Sequence, residues 1–365
     1  MAIYRTCRRQ VAAGVHRSRT RADRTAWHQW TRFCSWLGVS PDLTDVSDPV
    51  PILQLFAERV RSGLLAAGGN RVRKRTVESY LRSVAQIFAS VGAPDPRLDQ
   101  VGSIDFRLRR QLAAYRREDP PPSRVRPIPL QLLHHTFDCL RAGTARQRAI
   151  ADLALIAFFF LLRPGEHCDG GTDTDSTPFR LRDVSFFIGA RRFSALTATT
   201  AQIRAATYAS LYFTTQKNGV KGEAIGHGRS GHATACPVRR LAERVLYLRS
   251  LGAPADTPLA AVYARGRWCA VKSTEITTAL RASAAAMGDS IGLLPRDISA
   301  RSLRAGGAMA LLLGKVDTDT IKLVGRWRSD AMLVYLHVSA RPIMQAHART
   351  MVQHGAYALI PGPAP

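Results

Sequence analysis

Five of the eleven residues from 119 to 129, DPPPSRVRPIP, are prolines. Proline fixes a backbone angle and donates no backbone hydrogen bond, so this run cannot continue a helix or occupy the middle of a sheet. Such density favours an extended, semi-rigid linker. The sequence therefore predicts two domains, and its 365 residues are enough for each to bury a core.

The segment before the linker shows helical patterns. Apolar residues recur at helical spacing in RADRTAWHQWTRFCSWLG, PVPILQLFAERVRSGLLAAG, RTVESYLRSVAQIFASVG and FRLRRQLAAYRRE. Gly38 supplies a stop signal after the first of these helices. We expect a helical domain at 19–118, preceded by a basic, disordered tail at 1–18.

The segment after the linker mixes helices with a few strands. Helices are expected near 130–142 and 146–163, where LALIAFFFLL is too short to span a bilayer and predicts a buried core helix. Strand signals follow in FRLRDVSFF, ATYASLYFTT and EAIGH, with a turn at KNG. Helices return in PVRRLAERVLYLRSLG, VKSTEITTALRASAAAMG, SLRAGGAMALLL, TDTIKLVG and SDAMLVYLHV. The prediction is a mainly α protein, with an α+β domain at 130–350 that carries one small antiparallel sheet, and a tail at 351–365.

Charge separates this chain from an ordinary globular protein. It has 52 basic and 27 acidic residues, a net charge of +25, and 46 of the basic residues are arginines. Codon bias in a GC-rich genome inflates arginine, but it does not explain the shortage of acidic residues. A surplus of this size favours a polyanionic partner, of which nucleic acid is the commonest.

A basic cluster opens the third predicted helix. Within RVRKR it comprises Arg71, Arg73, Lys74 and Arg75. The free N–H groups of a helix N-terminus favour anions, so the cluster predicts phosphate contacts, although a solvated basic face fits it equally well. Arg124 and Arg126 in the linker are further candidates for contact with DNA.

Four residues after the linker carry the candidate chemistry. Arg163 lies in LLRPGEH, Lys217 at the hairpin turn of TTQKNG, Arg304 in RSLRAGG, and Tyr335 in LVGRWRSDAMLVYLH. Lys221 competes with Lys217 for the same role. Each residue alone would be structural far more often than catalytic, and the specificity comes from their order and their predicted secondary structures.

The surroundings of Tyr335 predict that it is presented on a new helix. Gly325 is expected to end one helix in the C′ position, and Ser329 to cap the next. Tyr335 then falls in the second turn, on the same face as Ala331 and Met332.

These motifs resemble those of the tyrosine recombinases, the phage-integrase family. The resemblance covers roughly residues 20–350, and TVESYLRSVAQIFASVGAPDP is similar to part of the family's core-binding domain. LLRPGEH resembles the box of the first arginine, RSLRAGG the box of the second, and GRWRSDAMLVYL the closing box with the nucleophile. These motif sequences resemble the Crypton-like and related mobile-element branch of the family more than the bacterial resolvases.

The resemblance implies a fold, a reaction and partners. An N-terminal, SAM-like core-binding domain and the catalytic domain would clamp double-stranded DNA. Tyr335 would attack the scissile phosphate, which Arg163 and Arg304 hold, and Lys217 would protonate the leaving oxygen. No cofactor or metal is required, because the covalent link conserves the bond energy. The family acts as homo-tetramers on two DNA sites and often exchanges a C-terminal segment, here 341–357.

Two positions depart from the family pattern. Arg301 stands where the family has His, three residues before the second arginine. Arg326 stands nine residues before Tyr335, where His or Trp is usual, with Trp327 beside it. We expect Arg301, Arg326 and Trp327 to belong to the catalytic set, with the acid–base step weakened.

Two other functions remain open from the sequence. Arg301 in place of histidine favours a DNA-binding protein that derives from a recombinase but is impaired in catalysis. Type IB topoisomerases share the catalytic design of the family, so DNA strand relaxation is the other alternative. His227, His232 and Cys236 match no common zinc spacing, so we expect surface-loop residues and no metal site. Six scattered cysteines without a CxxC motif, and no apolar signal sequence, predict an intracellular protein that stays with the DNA rather than a membrane.

Overall fold

The computed structural model describes residues 17–65, 68–121, 126–169, 177–214, 222–327, 329 and 332–333, apart from the side chains of 17–19 and 289. The chain divides into two compact units, Met1–Pro122 and Ser123–Pro365. The division falls inside the proline-rich segment 119–129. Most of the predicted tail 1–18 and all of 351–365 lie outside the described residues.

The first unit contains four described helices. They are α1 (Arg17–Leu37), α2 (Val50–Arg61), α3 (Lys74–Ser90) and α4 (Phe106–Glu118). The prediction that α2 runs on to Gly68 is wrong. Gly63 has φ +91°, and a Cβ there would overlap the backbone of Asn70, so the chain turns away from helical geometry at this point.

Aromatic packing closes the core of the first unit. The rings of Trp30 and Phe56 meet edge to face at 5.1 Å, and both side chains are fully buried with Phe33. Arg61 lies inside the same unit and donates to the carbonyls of Val72 at 2.6 Å and Tyr115 at 3.3 Å. The aliphatic stripe of α3, predicted from its 3.6-residue period, faces this core.

The second unit contains eight described helices. They are α5 (Leu130–Leu140), α6 (Ala145–Phe159), α7 (Pro164–His167), α8 (Thr200–Ala205), α9 (Pro237–Ser250), α10 (Ser273–Met287), α11 (Arg301–Leu313) and α12 (Thr318–Gly325). A reciprocal capping box between Thr144 and Gln147 starts α6. This helix is buried almost all round and packs against α5, α9, α10 and α11, which confirms the core helix predicted from its apolar run.

A four-stranded antiparallel sheet lies beside these helices. It consists of β1 (Val184–Ile188), β2 (Arg191–Ser194), β3 (Tyr208–Tyr212) and β4 (Ala224–Gly228), in the order β2-β1-β3-β4. A second, two-stranded sheet pairs β5 (Ala261–Ala264) with β6 (Arg267–Ala270). The sheet at β1, β3 and β4 was predicted, whereas β2, β5 and β6 were not.

The described part of the chain contains no helix long and apolar enough to cross a bilayer.

Candidate active site

Arg163 stands where the central helix gives way to a loop. α6 ends at Phe159, Leu161 adopts a left-handed backbone with φ +48°, and Pro164 begins the single turn of α7. Proline at a first helical position biases the preceding residue toward extended backbone, and Arg163 has ψ 153°. Its side chain is 21% exposed, so it can reach a ligand from solvent.

Glu166 orients Arg163 through two hydrogen bonds. Its carboxylate is 1% exposed and accepts from the Arg163 backbone N–H at 2.8 Å and from Nη1 of the same residue at 2.9 Å. The backbone bond caps α7, and the side-chain bond orients the guanidinium.

Two glycines let α11 pack closely against neighbouring backbone. A Cβ on Gly306 would overlap the backbone of Ile128, and one on Gly307 would overlap the Phe158 carbonyl and the Leu161 side chain. Only glycine leaves room for this approach. Gly307 in SLRAGG therefore allows α11, which carries Arg304, to approach the segment that leads to Arg163.

The two arginines of α11 face different surroundings. Arg301, the first residue of the helix, is exposed, and its backbone N–H donates to Ser299 Oγ at 3.3 Å. Arg304, one turn later, is only 4% exposed and donates from Nη2 to the carbonyl of Gly325. Its guanidinium carbon lies 4.2 Å from the centre of the Trp327 ring, which is a cation–π contact.

The end of α12 differs from the prediction for Gly325. Gly325 is the last helical residue, and Arg326 takes the left-handed conformation, with φ +57°. The glycine is required for another reason, because a Cβ on it would overlap the Trp327 ring. Gly325 thus makes space for Trp327, and Arg326 carries the backbone strain.

Arg326 points into the protein. Its Nη2 donates to Glu166 Oε2 at 3.0 Å and to the Leu161 carbonyl at 3.1 Å, while Nη1 donates to the carbonyls of Phe160 at 3.3 Å and Val324 at 3.1 Å. The guanidinium carbon lies 4.3 Å from the centre of the Phe213 ring. Burial lowers the pKa of Arg326 from its ordinary value, and the Glu166 carboxylate opposes that shift.

The structure thus connects Arg163 and Arg304 through contacts with Glu166 and with the neighbouring residues Gly325 and Arg326. Arg163 and Arg326 share the carboxylate of Glu166, and Arg304 bonds to Gly325, the neighbour of Arg326. Lys217, its competitor Lys221 and Tyr335 lie outside the described residues. The same holds for most of the helix expected after Ser329, where Met332 is fully buried.

His167 belongs to this site but was not singled out from the sequence. It is 2% exposed, and its Nδ1–H donates to the Arg163 carbonyl at 2.9 Å. Burial lowers the pKa of His167 to about 4, so the ring is neutral at neutral pH. The sequence signal that could have identified His167 is its position four residues after Arg163, about one helical turn away.

The prediction that His227, His232 and Cys236 are surface-loop residues is wrong for two of them. His227 lies on β4, with its ring edge-on to Phe160 at 4.8 Å, and Cys236 is buried. Burial lowers the pKa of His227. Among the described residues, no three His, Cys, Asp or Glu side chains are grouped so that they could hold a metal ion.

The basic cluster of the first unit is partly neutralised. Arg71 forms an ion pair with Glu118, and Lys74 forms one with Glu78. The N-terminus of α3, proposed as an anion site, already has an acceptor, because Asp119 Oδ2 accepts from the Lys74 backbone N–H at 2.9 Å.

The other residues predicted to contact DNA lie at the start of α3 and in the linker. Arg73 and Arg75 are exposed. In the linker, Arg126 is 49% exposed and lies 3.8 Å from Asp297, and Arg124 falls outside the described residues.

Solved structures match this fold over most of its length. The integrase of the Tn1549 transposon in complex with transposon right end DNA matches with a TM-score of 0.51 and 14% identity, covering 90% of this chain and 92% of that one. The fold is that of the tyrosine recombinases. The site-specific recombinase XerH, bound to palindromic difH substrate in a post-cleavage complex, matches with a TM-score of 0.50 and 12% identity, covering 82% and 70% of the two chains.

Sequence comparison adds no further relative. No protein-family model matches the chain, and a search of curated proteins finds no match either. The tyrosine recombinase fold confirms the predicted fold class, a mainly helical chain with a small antiparallel sheet. Assignment to the Crypton-like branch stays a prediction.

Proposed function

We propose that this protein cleaves and rejoins double-stranded DNA as a site-specific tyrosine recombinase or integrase. The observation that carries the proposal is the connection of Arg163 and Arg304 through Glu166, Gly325 and Arg326, on a tyrosine recombinase fold. Two guanidiniums from separate boxes, joined through these contacts, would suit a phosphodiester. The net charge of +25 supports DNA as the partner.

The proposed reaction uses these side chains in sequence. The phenol oxygen of Tyr335 attacks phosphorus and its proton passes to solvent water, while the bond from phosphorus to the DNA 5′-oxygen breaks and that oxygen takes a proton from Lys217. Arg163 and Arg304 donate to the non-bridging oxygens and offset the charge that grows on them. Loss of one such donor lowers the rate by on the order of 10²–10³. A DNA 5′-hydroxyl then attacks the phosphotyrosine and reverses the step, so the number of phosphodiester bonds is conserved.

Arg301 is proposed as a third phosphate contact. An arginine remains protonated and cannot act as the base that histidine provides. Its exposed position on the first turn of α11 leaves its donors accessible to DNA. We therefore propose that the enzyme is slowed. From the resemblance to the tyrosine recombinases, we also propose that it acts as a homo-tetramer on two duplexes.

The test is a pool of nicked duplexes with a randomised sequence around the nick, from which the cleaved fragment diffuses away. We expect an SDS-stable protein–DNA adduct, whose recovered DNA also reports the target sequence. Strand exchange between two copies of that sequence distinguishes a recombinase from a topoisomerase.

A second function, DNA binding without catalysis, is favoured by the same Arg301. The variants Arg301→Ala and Arg301→His separate the two. If the wild-type protein forms adducts, Arg301→Ala lowers their initial rate, and Arg301→His preserves or raises it. Adducts from Arg301→His alone would identify the natural protein as a binder.

A further inference from the structure

The position of Arg326 in the sequence, nine residues before Tyr335, suggests a residue that contacts the phosphate, but its geometry indicates a different role. Both terminal nitrogens are engaged, Nη1 with two backbone carbonyls and Nη2 with a carbonyl and Glu166. The remaining donor, Nε, is buried. With two hydrogen bonds on each terminal nitrogen, the side chain has no terminal N–H left for a ligand.

We propose that Arg326 is a positioning residue that holds Arg163 in its phosphate-binding orientation through Glu166. This inference rests on the proposed function, because it assigns Arg163 to the scissile phosphate. Arg326 contributes to DNA cleavage without touching DNA.

The contacts define how Arg326 acts. Oε2 of Glu166 accepts both from Arg326 Nη2 at 3.0 Å and from the Arg163 backbone N–H at 2.8 Å, while Oε1 accepts from Arg163 Nη1 at 2.9 Å. Arg326 therefore fixes the plane of the carboxylate that orients Arg163. It also holds the carbonyls of Phe160 and Leu161, which carry the chain from α6 into Arg163.

Arginine is the residue type that this position requires. Its planar fork reaches the carboxylate and three carbonyls at once, and its flat face stacks on Phe213 at 4.3 Å. A lysine ammonium has three donors on one atom and cannot span these acceptors. The left-handed backbone of Arg326 is retained because these contacts over-determine it.

Removing Arg326 alone confounds stability with positioning, because the buried Glu166 carboxylate then loses one of its two ion-pair partners. A buried ion pair replaced on both sides by apolar residues is often close to neutral for stability. The pair of variants Arg326→Met and Glu166→Met/Arg326→Met therefore separates the two effects. Arg249→Met is the matched control, since Arg249 also donates to two carbonyls, those of Ala195 and Ala198, away from Arg163.

Three measurements on the full chain are compared. They are the unfolding equilibrium in urea, amide hydrogen exchange in peptides covering 160–167, and the initial rate of covalent adduct on the nicked duplexes. Arg326→Met is expected to be less stable and to exchange faster at 160–167. It should also form adducts on the order of 10²-fold more slowly, which is the rate loss expected when a catalytic group is displaced by about 1 Å. The double variant regains stability but keeps fast exchange and slow adduct formation.

Recovery of the adduct rate together with stability in the double variant would show that the pair is only structural. Wild-type protection at 160–167 in the double variant would also overturn the proposal. If wild type forms no adduct, the proposed function fails, and the exchange measurement still decides whether Arg326 and Glu166 order the Arg163 loop.

Discussion

The guanidinium of Arg304 stacks on Trp327, with 4.2 Å between its central carbon and the centre of the ring. Arg304 lies on α11, and Trp327 lies two residues beyond the end of α12, 23 positions later in the sequence. The contact exists because Gly325 has no side chain to block the ring. It holds a buried cation whose Nη2 already donates to the Gly325 carbonyl.

Loss of the Trp327 ring should therefore weaken catalysis more than DNA affinity. A cation–π contact contributes about 1–2 kcal/mol when desolvated, which corresponds to roughly a 5- to 30-fold lower adduct rate for Trp327→Ala. Trp327→Phe should lie between that variant and wild type. Trp268→Ala is the control, because Trp268 packs on Tyr263 in the two-stranded sheet. Equal rates for Trp327→Ala and wild type would mean that the stack does not position Arg304.

Gly307→Ala should push α11 away from the end of α6. The added methyl group overlaps the Phe158 carbonyl, which is backbone and cannot rotate aside. Overpacking of this kind costs about 1–3 kcal/mol of unfolding free energy, measurable in urea. The control is Gly228→Ala, where the nearest atom, the Thr207 carbonyl oxygen, is 3.9 Å away. An unchanged stability for Gly307→Ala would show that the two helices do not approach so closely.

His167 should make stability depend on pH. Burial lowers its folded pKa to about 4, against an ordinary value of 6.5, so below pH 6.5 the unfolded chain binds a proton that the folded chain does not. Its contribution is complete above pH 6.5 and is lost as the pH falls toward 4. The loss at pH 5 is on the order of 2 kcal/mol.

The measurement is urea unfolding at pH 7 and pH 5 for wild type and His167→Gln. The difference between the two proteins isolates His167 from other titrating groups, such as Asp152, whose pKa burial raises to about 6. The glutamine variant, which cannot take up the proton, should lose less stability on acidification. An identical pH dependence in both proteins would place the ring in contact with solvent.

DNA affinity should depend more on Arg73 and Arg75 than on the other two residues of the basic cluster. Arg71 and Lys74 form ion pairs within the first unit, whereas Arg73 and Arg75 are exposed. Each phosphate contact contributes about 0.9 to the slope of log affinity against log salt, so Arg73→Ala/Arg75→Ala should lower that slope by about 2.

The comparison variant Arg71→Ala/Lys74→Ala should lower the slope less. Arg109→Ala/Arg110→Ala removes the same charge from exposed positions on α4 and serves as the control. Equal slopes for all three variants would mean that the cluster faces solvent rather than DNA.

The helices could be predicted from the sequence because their signals are local. A continuous apolar run located the core helix that contains 153–159, and apolar periodicity located the stripe of α3. The strands β5 and β6 were missed because each has four residues, too few to show alternation, and their turn at Arg265–Gly266 is not a common hairpin dipeptide.

The site could be predicted only in part. Arg163 and Arg304 were found because their boxes are contiguous in sequence. The partnership of Glu166 with Arg326 was not, because it joins residues 160 positions apart, and no local pattern reports whether an arginine points inward. The prediction for Gly325 failed for a similar reason, since the sterics that demand glycine come from the Trp327 ring.

The central claim is covalent catalysis by Tyr335. Its most direct test is mass spectrometry of the protease-digested adduct formed with the nicked duplexes. We predict a nucleotide attached through a 3′-phosphate to the peptide that contains Tyr335, and no adduct from Tyr335→Phe, which retains DNA binding. An adduct on another residue, such as Tyr247 or Tyr263, or an undiminished adduct from Tyr335→Phe, would contradict the claim.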